Sequence, residues 1–168
     1  MNMTVSDLKE YWELLHAGKT NNVVYSWHMP KWAEICSEMD WETYLLAGGY
    51  FSKRHHGYCG VYRLIGLAGN GDVSSPAILD RVGGKDITGT LYIGEAGQLN
   101  MRLNQLRLGK HQASNLPAIL KPVFPPERLA IALMFTHTFT KEIERHLINA
   151  YINSFGEPPP LNYKLHRF

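Results

Sequence analysis

The stretch YCGVYRLIGL, residues 58–67, alternates with a period of two: Val61 and Ile65 point to one side, Tyr62 and Leu64 to the other. It reads as a β-strand. A second strand follows at TLYIG, residues 90–94, with Leu91 and Ile93 on one side and Tyr92 on the other. If the two strands pair antiparallel with their aliphatic residues in the core, Tyr62 and Tyr92 emerge on one shared face. Between them, Ala68 to Gly89 contains Gly69, Gly71, Pro76, Gly83 and Gly84 and reads as a long loop with one short element around Ala77 to Val82.

Outward from this pair the pattern is mostly helical. Leu99, Leu103 and Leu106 mark a helix that ends near Gly109, and Ser114 to Leu120 is a shorter helix closed off by Pro122. The run Leu129 to Phe135 is apolar throughout, as expected of a central strand covered on both faces. Ile143 to Phe155 is an amphipathic helix stopped by Gly156 and Pro158 to Pro160, and the tail Leu161 to Phe168 returns as coil or edge strand. The first 50 residues hold all four tryptophans, Trp12, Trp27, Trp32 and Trp41, and read as helical. Aromatic residues at helical spacing favour core packing over stacking on bases. The expected fold class is therefore α/β of the α+β type: a small antiparallel sheet, with its central strand flanked by helices. Residues 1–50 form a helical N-terminal extension, and 51–168 form the main domain with an insertion at about 66–89.

Composition bounds the setting. The 168 residues contain no apolar run of about 18, and the polar start, Met1 to Glu10, lacks the form of a signal peptide, so the expected location is cytoplasmic, away from membranes. Cys36 and Cys59 make no disulfide framework and read as two reduced, partly buried thiols. His55, His56 and Cys59 lack a fourth ligand at zinc spacing. Gly69-Asn70-Gly71 is not the glycine-rich loop of a nucleotide-binding fold. The net charge of +2 is unevenly spread: three basic and seven acidic residues up to Tyr50, then 14 basic and eight acidic. The positive part coincides with the strands and helices just described, as expected of a segment that meets phosphates.

Two charged residues stand out by position. On the last helix Glu144 has Leu147, Ile148 and Tyr151 three, four and seven residues on, so its carboxylate lies against the apolar face. Such a group needs a partner, either a buried salt bridge or a metal ion. Glu142, with Arg145, His146 and Asn149 at those spacings, reads as a surface residue. Arg102 is flanked by Leu99 and Leu106, which puts its guanidinium at the edge of the apolar stripe. It either covers the core with its stem or presents its fork to a phosphate.

Taken together, these segments resemble the GIY-YIG nucleases. Gly60-Val61-Tyr62 looks like the first family triplet, Tyr92-Ile93-Gly94 matches the second as written, and Arg102 falls eight residues beyond it, where the family arginine is expected. Gly109-Lys110-His111 resembles the Gly-x-His segment of several members, Glu144 opens a Glu-x-x-Leu-Ile stretch like that of the family's metal-binding helix, and Pro160-Leu161-Asn162 is similar to its Pro-x-Asn element. The resemblance spans Gly60 to Asn162, with five elements in the family order when the stretch from Glu144 to Asn162 is taken as one. Two features depart from it: the long gap between Tyr62 and Tyr92, and Leu106 where some members carry histidine.

The resemblance implies a metal-dependent endonuclease that hydrolyses phosphodiester bonds in DNA, with RNA as the other substrate it leaves open. It implies that Tyr62 activates water, that Glu144 holds Mg²⁺ or Mn²⁺, and that Arg102 and Tyr92 position the phosphate. Asn162 would orient the acidic cluster or contact backbone, and His111 would touch phosphate or water. With Leu106 in the histidine's place, the general base would be Tyr62 or His111. Arg107, Lys110, Lys53 and Arg54 are the expected nucleic-acid contacts, the last two in a basic loop before the first strand that reads first as solvated surface and otherwise as a phosphate contact. A double-strand break from one site requires a homodimer or two sequential nicks. The alternative is a nucleic-acid-binding module that keeps the fold without cleavage.

Overall fold

The computed structural model describes residues 3–18, 29–48, 57–116 and 118–162. In chain order these form α1 (Val5–His16), α2 (Trp32–Glu38), β1 (Glu42–Leu45), β2 (Cys59–Gly66), β3 (Leu79–Arg81), β4 (Gly84–Asp86), β5 (Thr90–Ala96), α3 (Leu99–Arg107), β6 (Leu129–Thr136) and α4 (Thr140–Phe155), with short 3₁₀ turns between. Four strands make one antiparallel sheet in the order β1-β6-β2-β5, and β3 and β4 form a separate hairpin. This is an α+β fold. Trp27, Lys53, Arg54, His55, His56 and the tail after Asn162 lie outside the described residues. No helix among the described residues is long and apolar enough to cross a membrane.

The alternation of β2 sorts the core into two layers. Tyr62 and Leu64 pack with Ile131 and Leu133 of β6 and with Leu99, Leu103 and Leu106 of α3. Val61 turns to the other face, where Ile93 joins Trp12 of α1, Trp32 and Ile35 of α2, and Ile143, Leu147 and Tyr151 of α4. The sheet is thus covered by α3 on one side and by α1, α2 and α4 on the other, and β6 is central as its apolar run required. Trp32 has no exposed surface, and burying a large apolar side chain so fully stabilises the fold by about 1.5–3 kcal/mol.

Several local expectations fail for non-local reasons. Residues 42–45 are an edge strand on β6, not helix: Tyr44 sits opposite Ile131 and Glu42 opposite Leu133. The first 50 residues therefore contribute a strand as well as helices to the common core. In β5 the register shifts between Leu64 and Ile65, which pair with Tyr92 and Thr90, leaving Leu91 as the extra residue of a bulge. A bulge puts two neighbouring side chains on one side, so Leu91 joins the layer of Tyr62 and Tyr92 instead of that of Ile93. Among the described residues of 114–120 no helix forms: the chain makes a 3₁₀ turn at Gln112–Ser114 and a turn at 118–120.

The segment 66–89 is not a loose loop. Its hairpin ends on Asp86, a carboxylate with no exposed surface that accepts from Thr88 N and Oγ1, Thr90 N and Tyr151 Oη. Arg81 of the same hairpin pairs with Glu157 at 3.2 Å. Four donors on one buried carboxylate offset the cost of removing it from water, and they fasten the hairpin to α4.

Candidate active site

Pairing of β2 with β5 brings Tyr62 and Tyr92 to one face, their rings 6.0 Å apart between centroids. Gly94 lies opposite Tyr62 in the register. A Cβ at that position would stand 2.6 Å from Tyr92 Cε1 and 2.7 Å from Tyr62 Cζ and Oη, so the second glycine of the paired triplets is what lets both phenols fold over the strand. His111 completes an aromatic corner, its ring edge-on at 6.5 Å from Tyr62 and 5.8 Å from Tyr92. The ring is fixed by the turn that follows, because Nδ1 accepts from Ala113 N at 3.0 Å.

Glu144 reaches the same edge of β5 from α4, on the opposite face of the sheet. The backbone N–H and the side-chain charge of Glu95 both act on its carboxyl. Glu95 itself pairs with Val61 in the register, which places its side chain on the α4 face, and its Oε2 accepts from Thr140 Oγ1 at 2.6 Å. Thr140 and Glu144 are one helical turn apart, so one face of α4 holds both carboxylates. The charge of Arg102, on α3, acts on Tyr62, Tyr92, His111 and Glu144 alike.

The electrostatics follow from burial. Glu144 is pushed up to about 7, first by desolvation and then by the charge of Glu95, against the pull of Arg102, the Glu95 N–H and Lys141. Tyr62, only 1 % exposed, is raised well above the ordinary phenol range, first by burial and then by Tyr92. Tyr92 moves the same way through burial and Glu144. His111 falls to about 4 through burial and Arg102. At neutral pH both phenols and the imidazole are therefore uncharged, and with Nδ1 accepting, the His111 proton sits on Nε2. Each of the three presents a donor.

The sequence-expected residues divide clearly. Tyr62, Tyr92, Arg102, His111 and Glu144 converge. Asn162 is buried, and its amide is spent on the backbone of Ile93, accepting from N at 2.9 Å and donating to O at 2.7 Å. Of its two expected roles, backbone contact is the one observed: it straps the open edge of β5. Arg107 and Lys110 are exposed at the end of α3. Glu95 and Thr140 were not singled out from the sequence. The available signal was the period of two, which puts a carboxylate on the same inward side as Ile93, and the four-residue spacing of Thr140 and Glu144.

These groups fit a divalent cation of the magnesium type. Glu144 is half-buried beside a second carboxylate, and neither carboxylate forms an ion pair among the described residues. No group of three or more His, Cys, Asp or Glu side chains converges among the described residues. One or two carboxylates, with water and phosphate supplying the other ligands, is the usual protein share of a magnesium site. Comparisons of the chain with protein-family models, with curated proteins and with solved structures gave no match.

Proposed function

We propose that the chain is a GIY-YIG-type endonuclease that hydrolyses DNA phosphodiester bonds with Mg²⁺ or Mn²⁺. The observation that carries this reading is the convergence of Tyr62 of β2, Tyr92 of β5, Arg102 of α3, His111 of the turn after it and Glu144 of α4 at one edge of the sheet. Glu144, with Glu95 beside it, would hold the ion. When bound, the ion supplies charge stabilisation at the leaving oxygen and acidifies its water.

The chain's own groups then have distinct tasks. Arg102 compensates the negative charge of the phosphate, and His111 Nε2–H and the Tyr92 hydroxyl donate to its oxygens. Tyr62 is the candidate base, but burial and the charge of Glu144 both hold its proton. Neutralising Glu144 removes one of those contributions and leaves Arg102, which favours the phenolate. His111 is the weaker base, since its free lone pair is occupied by Ala113 N. The location that accords with this activity is cytoplasmic.

One observation favours a second reading, a nucleic-acid-binding module without cleavage: the deep burial of Tyr62 keeps its proton in place. The two readings separate on incubation of plasmid, linear, branched and single-stranded DNA with Mg²⁺ or Mn²⁺. Metal-dependent products that disappear in Glu144→Gln support the nuclease. Salt-dependent binding with no products from the wild type supports the binding module.

A further inference from the structure

The segment 66–89 borders a cavity none of whose lining residues belongs to the candidate active site. Residues around β3, the start of β5 and the segment 120–128 bound a space of about 530 Å³. Sites for small ligands usually run to about 300–1,000 Å³. Its buried lining is apolar, with Ala77, Leu91 and Phe124 drawn from the same core layer as Tyr62. Its exposed lining is apolar as well: Ile78 is 62 % exposed and Val123 46 %.

Three charged residues line the cavity, and two of them are already paired. Asp80 holds Lys85 at 2.9 Å, and Arg81 holds Glu157 at 3.2 Å. Arg128 forms no ion pair among the described residues. It is fixed nonetheless: Nε and Nη2 donate to Leu67 O at 3.0 and 2.8 Å, and Nη2 also donates to Ala68 O at 3.0 Å. These acceptors are neutral, and Nη1 makes no hydrogen bond among the described residues. A half-buried cation held in one place, its charge unpaired, beside an apolar lining is suited to receive an anion. Phe124 is the one aromatic residue of the lining, and it offers no open face. Its ring is 4 % exposed, lies against Gly66 where an added Cβ would collide with it, and has the Arg128 guanidinium 5.8 Å from its centroid. A nucleobase therefore finds no stacking surface here, whereas an alkyl chain needs none.

We infer that this cavity binds an aliphatic carboxylate, with its chain against Ala77, Leu91 and Val123 and its carboxylate on Arg128, where Nη1 is the donor left to it. The inference goes beyond the nuclease reading and does not rest on it. Each CH₂ taken out of water raises affinity by about fourfold, so the chain supplies most of the binding. The carboxylate supplies the selectivity, because Arg128 is the cation of the lining without an acidic partner.

The test is titration calorimetry of the full chain with octanoate, with octanol as the same chain without the charge, and with a deoxynucleoside monophosphate as an anion on an aromatic body. Wild type is expected to bind octanoate about tenfold more tightly than octanol, and the nucleotide more weakly than octanoate. Ile78→Glu places a like charge at an exposed position of the lining and should abolish the preference for octanoate over octanol. Arg128→Gln should do the same. Because Arg128 also holds two backbone carbonyls, its variant is read only with an unchanged thermal midpoint, and Ile78→Glu decides the matter if that midpoint falls. No binding of octanoate by wild type, equal binding of octanoate and octanol, or a preference that survives Ile78→Glu would overturn the inference. Tighter binding of the nucleotide would overturn it too, as would binding to phosphatidylglycerol vesicles without binding of free octanoate. Cleavage of DNA, or its absence, bears on the nuclease reading alone.

Discussion

The Glu95 carboxylate is held by Thr140, one helical turn before Glu144, and its charge raises the Glu144 carboxyl. Two acidic groups are thereby gathered at the open edge of β5, between phenols on one face of the sheet and a helix on the other. Burial and mutual repulsion raise Glu144 to about 7. The protein accepts that cost at one point of its fold, and the predictions below follow from it and from the contacts around it.

If Glu144 holds the proposed cation, metal-dependent activity should rise with pH through about 7, as the carboxyl ionises. At one unit below that midpoint roughly a tenth of the plateau remains. Glu95→Gln removes the repelling charge and should move the midpoint to lower pH. The effect on folding has the opposite sense: a carboxyl raised in the folded state above 4.5 favours folding below that value, and its contribution declines as pH rises to about 7. Rate profiles and denaturant titrations at pH 5 to 8 check both. A midpoint left in place by Glu95→Gln would remove Glu95 from the site.

Acid should destabilise the fold through its histidines. His146, buried and accepting from Trp12 Nε1 at 3.1 Å, is lowered to about 4 by desolvation and then by Arg145, and His111 is lowered similarly. Histidines depressed below 6.5 take up protons first in the unfolded chain, so their share of stability is present above 6.5 and lost as pH falls towards 4. His146→Gln keeps an acceptor for Trp12 and should flatten the loss of stability between pH 6.5 and 4.5. An unchanged slope would show that His146 does not drive it.

Gly94→Ala should destabilise the protein by about 1–3 kcal/mol, the usual range for forcing an extra methyl into a packed site. The added carbon meets the rings of both Tyr62 and Tyr92, so the near-ultraviolet circular dichroism of the tyrosines should change with it. A variant as stable as wild type with the same spectrum would contradict the close packing of the two phenols on β5.

Asn162→Ala leaves the N–H and C=O of Ile93 without their partners and should cost about 1–3 kcal/mol. Hydrogen exchange at Ile93 should accelerate more than at Ile131, which lies in the interior of the sheet. Equal protection in the variant would mean that the edge of β5 is held by other contacts.

How far the sequence disclosed this arrangement depends on whether the cause was local. The alternation in residues 58–67 was enough to put Tyr62 with Leu64 and Val61 opposite, and helical periodicity placed Glu144 and Arg102 against apolar stripes. The bulge at Leu91 left no such trace, since an extra apolar residue in an apolar strand looks like any other. Strand β1 is four residues long beside tryptophans at helical spacing, and it exists because β6 offers it an edge. The order of segment 66–89 comes from Asp86 and Arg81, whose partners Tyr151 and Glu157 lie more than 60 residues away. Glu95 was passed over for the same reason: its partner Thr140 is 45 residues distant.

The central claim is tested most directly by single-turnover cleavage of a labelled DNA set with Mg²⁺ or Mn²⁺, comparing wild type with Glu144→Gln at pH 8. Circular dichroism and thermal melting confirm that the variant is folded. Loss of at least about a hundredfold in rate, with DNA binding retained, is the expected result if Glu144 holds the metal. Equal rates for the folded variant and the wild type would contradict it.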